Sequence, residues 1–136
     1  MTALVDTSIW SLMLRRDRRR LSHEQETRVV VLEELVAAGR ARLLGAVRQE
    51  LLTGIRHAHQ FLRLQQELRT FPDVDLEIED YEEAAEISNV CEANGIIGSS
   101  VDMLLCSVAL RRGWAIYTTD RDFERYAKYA PIALFP

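Results

Sequence analysis

The sequence predicts an α/β fold: a parallel sheet of about five strands with helices on both faces. Two observations lead there. Short apolar runs alternate with amphipathic helical stretches along the whole chain, the pattern of parallel strands joined by helical crossovers. The 136 residues, 48% apolar and 28% charged, suffice for one full core but not for two, so residues 1–136 read as one domain.

Ala3, Leu4 and Val5 form a short buried strand beginning near Thr2 and stopping at Asp6. Thr7 and Ser8 can cap a helix carrying Ile9, Trp10, Leu12 and Met13. An arginine-rich segment, Arg15 to Leu21, follows as the only stretch of any size expected to be mobile. Ser22 and Gln25 have capping-box spacing and start a second helix that runs to Ala38, with Gly39 as its stop.

Arg40 to Leu44 reads as the second strand, and a helical pattern from about Val47 through Ile55 carries Glu50 near its start. Phe61, Leu64, Leu68 and Phe71 recur at helical spacing until Pro72. Val74, Leu76 and Ile78 alternate with acids, as in a half-exposed edge strand. Asp80 and Glu83 then offer a cap for a helix lined by Ala84, Ile87, Ser88 and Cys91 and closed at Asn94 and Gly95.

Ser99 or Ser100 caps the next helix, which holds Asp102 in its first turn and runs to Gly113. Trp114 to Tyr117 is a buried strand, Asp122 to Tyr129 a short helix, and Ile132 to Phe135 a final strand. No repeat, low-complexity tract or long linker interrupts this order.

Composition excludes several classes. No run approaches the ~20 apolar residues of a membrane span, and the first residues lack the plan of a signal peptide, so a cytoplasmic protein with no membrane partner is expected. Cys91 and Cys106 sit among apolar neighbours outside any close-spaced metal motif and read as reduced core thiols. His57 and His59, two apart, do not share a helix face, and with His23 they read as surface residues. The net charge of -4 rules out a uniformly basic surface but not a local one: Arg15, Arg16, Arg18, Arg19 and Arg20 are interrupted only by Asp17.

The chemistry rests on four dispersed acids. Ligands of an open parallel sheet bind at the carboxyl ends of its strands. Asp6 directly follows a strand, Asp120 comes shortly after another, and Asp102 and Glu50 sit on helices that enter from the same side. Each has an ordinary alternative, as turn residue, cap or first-turn charge, and Glu50 taken singly is a common kind of solvated helix residue. Together, with no balancing cation nearby, they would repel one another unless a divalent ion were present. Oxygen-only ligation suits Mg2+ or Mn2+, and phosphodiester hydrolysis fits such a set.

The motifs around these acids carry a family resemblance. VDTSIW at the start, VRQELLTG around Glu50, SSVDMLLCSVAL around Asp102 and YTTDRDFERY around Asp120 resemble the successive motifs of PIN-domain ribonucleases, over nearly the whole chain. In length the chain is similar to the VapC-type toxins of prokaryotic toxin-antitoxin pairs. The resemblance implies a PIN-like domain and a metal-dependent endoribonuclease with Asp6, Glu50, Asp102 and Asp120 as catalytic residues and ligands of Mg2+, with Mn2+ as a substitute. It also implies a supporting role for Asp122, the second acid of the TxDxDF signature, and for Thr7, Ser8 and Thr118. Gly45 and Ala46 depart from the Ser, Thr or Pro that relatives often carry before Glu50, so its approach angle rests most on the family match.

From the same resemblance come the expected partners: an RNA substrate, a VapB-like antitoxin and a second copy of the chain in a homodimer. Arg15, Arg16, Arg18, Arg19, Arg20, Arg56 and Arg121 are candidates for phosphate contacts, and Trp10, Leu12, Val30 and Leu35 for an antitoxin groove. The alternatives are a stand-alone RNA-processing nuclease and a non-catalytic RNA- or antitoxin-binding module. A haloacid-dehalogenase-like phosphatase would need an Asp where Ser8 stands. A receiver domain needs a Lys after a late strand, but Lys128, the only lysine, falls in the last helix. Dinucleotide binding fails for want of GxGxxG after a strand.

Overall fold

The computed structural model describes residues 1–136. Its four strands, β1 (Ala3–Val5), β2 (Ala41–Arg42), β3 (Ala115–Tyr117) and β4 (Ala133–Leu134), form one sheet in the order β2-β1-β3-β4. Every pairing is parallel. All residues of β1 and β3 are buried, and because successive strand side chains point to opposite faces, both faces of the sheet centre are covered.

Seven α-helices supply that cover: α1 (Thr7–Leu14), α2 (His23–Ala37), α3 (Gly45–Leu52), α4 (Ala58–Leu68), α5 (Ile78–Ala93), α6 (Ser100–Arg112) and α7 (Asp122–Tyr126). The helix starts follow their caps. Ser22 accepts from the Gln25 amide at 3.1 Å while the Gln25 side chain accepts from the Ser22 amide at 2.9 Å, the reciprocal box expected from the sequence. Gly113 ends α6 in the left-handed conformation, φ 71°, where a Cβ would be strained. The core joins Leu4, Trp10, Leu32, Leu44, Leu105, Ile116 and Phe123.

The expected fifth strand does not form. Only one bridge, Leu43 with Asp73, extends the sheet beyond β2. The cause is an early helix start: the Asp80 carboxylate accepts from the Glu77 amide at 2.8 Å, so α5 begins at Ile78 and cuts the alternating segment short. Ile78 is left 74% exposed.

The arginine-rich segment, expected to be mobile, carries local structure of its own. Asp17 accepts from the Arg19 amide at 3.0 Å, and Arg18 to Arg20 form a 3-10 turn. Arg18 is clamped to Glu26 at 2.7 Å and to Glu33 at 3.0 Å, both on α2. The proposed apolar groove closes on itself as well: Trp10, Leu12 and Leu35 are buried within the chain, and of the four only Val30 is exposed.

Candidate active site

Strand register places the first acid. Val5 pairs with Tyr117, so the residues that follow, Asp6 and Thr118, leave the sheet side by side at its carboxyl edge. The Asp6 amide donates to the Tyr117 carbonyl at 2.9 Å, and the Thr118 hydroxyl donates to Asp6 Oδ2 at 2.7 Å. Ser8, in the first turn of α1, donates to the same oxygen at 2.9 Å and accepts from the Thr119 amide at 3.1 Å. Asp6 is thereby buried and held from two elements 112 residues apart in the chain.

Thr118 also orients Asp120 by accepting from its amide at 2.9 Å. Asp120 Oδ1 in turn accepts from the Asp122 amide at 2.9 Å. Asp122 thus supports Asp120 through its backbone, while its own carboxylate faces Arg125 at 3.6 Å.

Glu50 arrives from α3. That helix starts at Gly45, two residues earlier than the sequence suggested, and Glu50 stands in its second turn rather than near its start. Thr7 closes the gap between α1 and α3 by donating to Glu50 Oε1 at 2.6 Å. Asp6, Thr7, Ser8, Glu50, Asp120 and Thr53 line one cleft of about 600 Å3, with Ala46, Gln49 and Val101.

Asp102 occupies the first turn of α6, where the Ser99 hydroxyl caps the helix by accepting from the Asp102 amide at 3.1 Å. Burial pushes its carboxyl above the usual range, and the negative charges of Asp6 and Asp120 push the same way. The Tyr126 hydroxyl opposes that shift, donating to Asp102 Oδ2 at 2.8 Å. Tyr126 is absent from the residues expected at the site: nothing local to FERY says that its hydroxyl reaches a residue 24 positions away.

A pattern runs through the four acids. Asp6, Asp102, Asp120 and Glu50 each have one oxygen fixed by a hydrogen bond from the protein, and each second oxygen is free of one. None of the four meets an arginine or lysine in an ion pair. No three Asp, Glu, His or Cys side chains converge tightly enough to enclose an ion as they stand. In donor chemistry the set nevertheless fits a hard divalent cation: all oxygen, anionic and uncompensated.

The remaining candidates scatter. Arg15, Arg16 and Arg56 are exposed and in no ion pair, whereas Arg19 and Arg20 face Asp17 and Arg121 faces Glu124 at 3.8 Å. His23, His57 and His59 are exposed, and Cys91 and Cys106 are buried free thiols, as expected. No helix is long and apolar enough to cross a membrane.

A parallel α/β domain with an acidic cleft at the carboxyl edge of its sheet is the class this geometry defines. The family model for the PIN domain matches residues 3–129, and the chain belongs to that family. Among solved structures it is similar to FitAcB from Neisseria gonorrhoeae, with 18% identity, TM-score 0.77, and coverage of 99% of this chain and 97% of that one. It is similar to VapBC2 from Rickettsia felis bound to a DNA fragment from their promoter, with 19% identity, TM-score 0.70 and coverage of 99% and 98%. VapBC-5 from Mycobacterium tuberculosis, of the VapBC family of toxin-antitoxin systems, matches with 15% identity, TM-score 0.67 and coverage of 99% and 98%. Likeness at these identities is likeness of fold. A search of curated protein sequences finds no match.

Proposed function

We propose that this protein is a metal-dependent endoribonuclease that hydrolyses RNA phosphodiester bonds, and that it is the toxin of a type II toxin-antitoxin pair. One observation carries the catalytic reading: Asp6, Glu50 and Asp120 line one cleft, Asp102 lies near enough to feel the charges of Asp6 and Asp120, and all four lack a cation partner and have one carboxylate oxygen hydrogen-bonded and the other without a bond. Such a cluster is costly without an ion, and the PIN family typically uses a divalent metal.

Asp6, Glu50, Asp102 and Asp120 would hold Mg2+, or Mn2+ in its place. The ion, when bound, would acidify a water and stabilise the charge developing on a phosphodiester. The protein's own part is orientation. Ser8 and Thr118 fix Asp6, and Thr118 links it to Asp120, so one hydroxyl orients both acids. Thr7 turns Glu50 toward the cleft, and the Asp122 amide steadies Asp120.

An acidic cleft repels a polyanion, so phosphate contacts must come from outside it. Arg15, Arg16 and Arg56 are the candidates for that role, being exposed and free of ion pairs. The toxin reading is supported by family membership and by likeness in fold to proteins of toxin-antitoxin systems. It carries with it a VapB-like antitoxin and a homodimer.

Cleavage of structured RNA with Mg2+ or Mn2+ by the wild type, Asp6→Asn and Asp102→Asn tests the catalytic reading. Loss in both variants is expected, and equal activity in all three removes the assignment. A short reading frame for a small DNA-binding protein immediately upstream is expected for the toxin, and its product should copurify with this chain. Its absence favours a stand-alone RNA-processing nuclease.

A further inference from the structure

Two residues besides the acids converge on one atom. Tyr126 is buried, with its ring edge-on to Phe123 at a centroid distance of 5.2 Å, and its hydroxyl makes a single hydrogen bond, to Asp102 Oδ2. Gly98 lies against that same hydroxyl. A Cβ at Gly98 would come within 2.9 Å of Tyr126 Oη and 2.5 Å of Met103 Cε, closer than real contacts allow.

The backbone does not demand glycine here. Gly39, Gly54, Gly95 and Gly113 have left-handed φ angles with open space around them, whereas Gly98 has no left-handed φ and no room. It is glycine for space, and the space is filled by the Met103 methyl and by the Tyr126 hydroxyl that bonds Asp102.

We infer that Tyr126 is a positioning residue for Asp102, held in place by the absence of a side chain at Gly98. By occupying Oδ2 it leaves Oδ1 as the oxygen of Asp102 without a hydrogen bond and restrains the plane of the carboxylate, beside the cleft that Val101 lines. Groups that orient a ligand in this way typically change metal affinity or activity by about 10–100-fold when removed. This inference rests on the metal-site reading above.

The competing explanation is that a buried phenol simply needs an acceptor. Mn2+ binding, followed by the electron paramagnetic resonance signal of the free ion, separates the two. It would be measured on the wild type, Asp102→Asn, Tyr126→Phe, Gly98→Ala and the double variant Gly98→Ala/Tyr126→Phe, with thermal unfolding and near-UV circular dichroism as folding checks.

Tyr126→Phe keeps the ring in the core and is expected to remain folded while its Mn2+ affinity falls about tenfold or more. Gly98→Ala, which displaces the hydroxyl, is expected to weaken binding similarly and to add little in the Tyr126→Phe background, since both act on one hydrogen bond. Wild-type affinity in Tyr126→Phe, with binding abolished in Asp102→Asn, overturns the positioning role and leaves the metal site standing. Full additivity of the two changes overturns it too. If the wild type binds no more Mn2+ than Asp102→Asn, the metal-site reading itself fails and takes this inference with it.

Discussion

Arg112 grips Asp80 with both terminal nitrogens, one to Oδ1 at 2.8 Å and the other to Oδ2 at 2.9 Å. Asp80 is fully buried at the start of α5, and Arg111, also on α6, reaches the same carboxylate at 2.6 Å. The Ser107 hydroxyl bonds the Asp80 carbonyl at 2.6 Å. These interactions fix how α5 packs on α6, the helix that carries Asp102.

Removing the carboxylate should therefore cost stability and not chemistry. Asp80→Asn leaves two guanidinium groups short of their counter-charge, a change of about 3 kcal/mol for a buried pair. Urea denaturation should show a lower midpoint, while Mn2+ affinity of the folded variant stays at the wild-type value.

The same pair sets an acid limit. Hydrogen bonding from Arg112, and further bonds from Glu77 and Arg111, hold the Asp80 carboxyl well below the usual carboxylate range against the opposing effect of burial. A depressed folded-state pKa contributes stability that is present above the unfolded pKa of about 4 and is lost as pH falls below it. Wild-type stability should drop as pH is lowered from about 4, and this component of the drop should vanish in Asp80→Asn.

Thr118→Val tests the link between the strand-end acids. Val fills the same space but neither donates to Asp6 nor accepts from the Asp120 amide. Ribonuclease activity is expected to fall about 10–100-fold. The melting temperature should move little, because the site is partly open to water.

The arginines should divide by their partners. Arg18 is committed to Glu26 and Glu33, and Arg18→Ala should leave RNA affinity at the wild-type level. Arg15→Ala with Arg16→Ala should weaken RNA binding. The slope of log affinity against log salt should become shallower by roughly 0.7 for each phosphate of a single strand that these side chains no longer neutralise. An unchanged slope would remove these residues from the RNA path.

Neither thiol should react in the folded protein. Cys106 is buried, and that burial, with the charge of Asp102 nearby, pushes its pKa up to about 12; burial raises Cys91 as well. A thiol reagent such as Ellman's should find no fast-reacting group in native protein and two in guanidinium, matching the two cysteines.

Much of this protein was determined by sequence alone. Short apolar runs separated by capped helices specify parallel strands and their crossovers, because each local signal, such as Ser22 with Gln25 or Gly113 after α6, acts within a few residues. Those signals also put Asp6 and Asp120 after strands and Asp102 in a first helical turn. Local signals misled where another interaction competed: the alternation of Val74, Leu76 and Ile78 suggested a strand, but Asp80 capped the Glu77 amide and started a helix.

Tertiary structure alone decided how the acids are held. The register of Val5 with Tyr117 sets Thr118 beside Asp6, the packing of α1 against α3 brings Thr7 to Glu50, and α7 carries the Tyr126 hydroxyl to Asp102. It also tied Arg18 to α2, taking one cation out of a cluster that composition left undivided. A hydrogen bond between residues far apart in the chain depends on the direction and distance of two side chains after packing, and no spacing in the sequence encodes that.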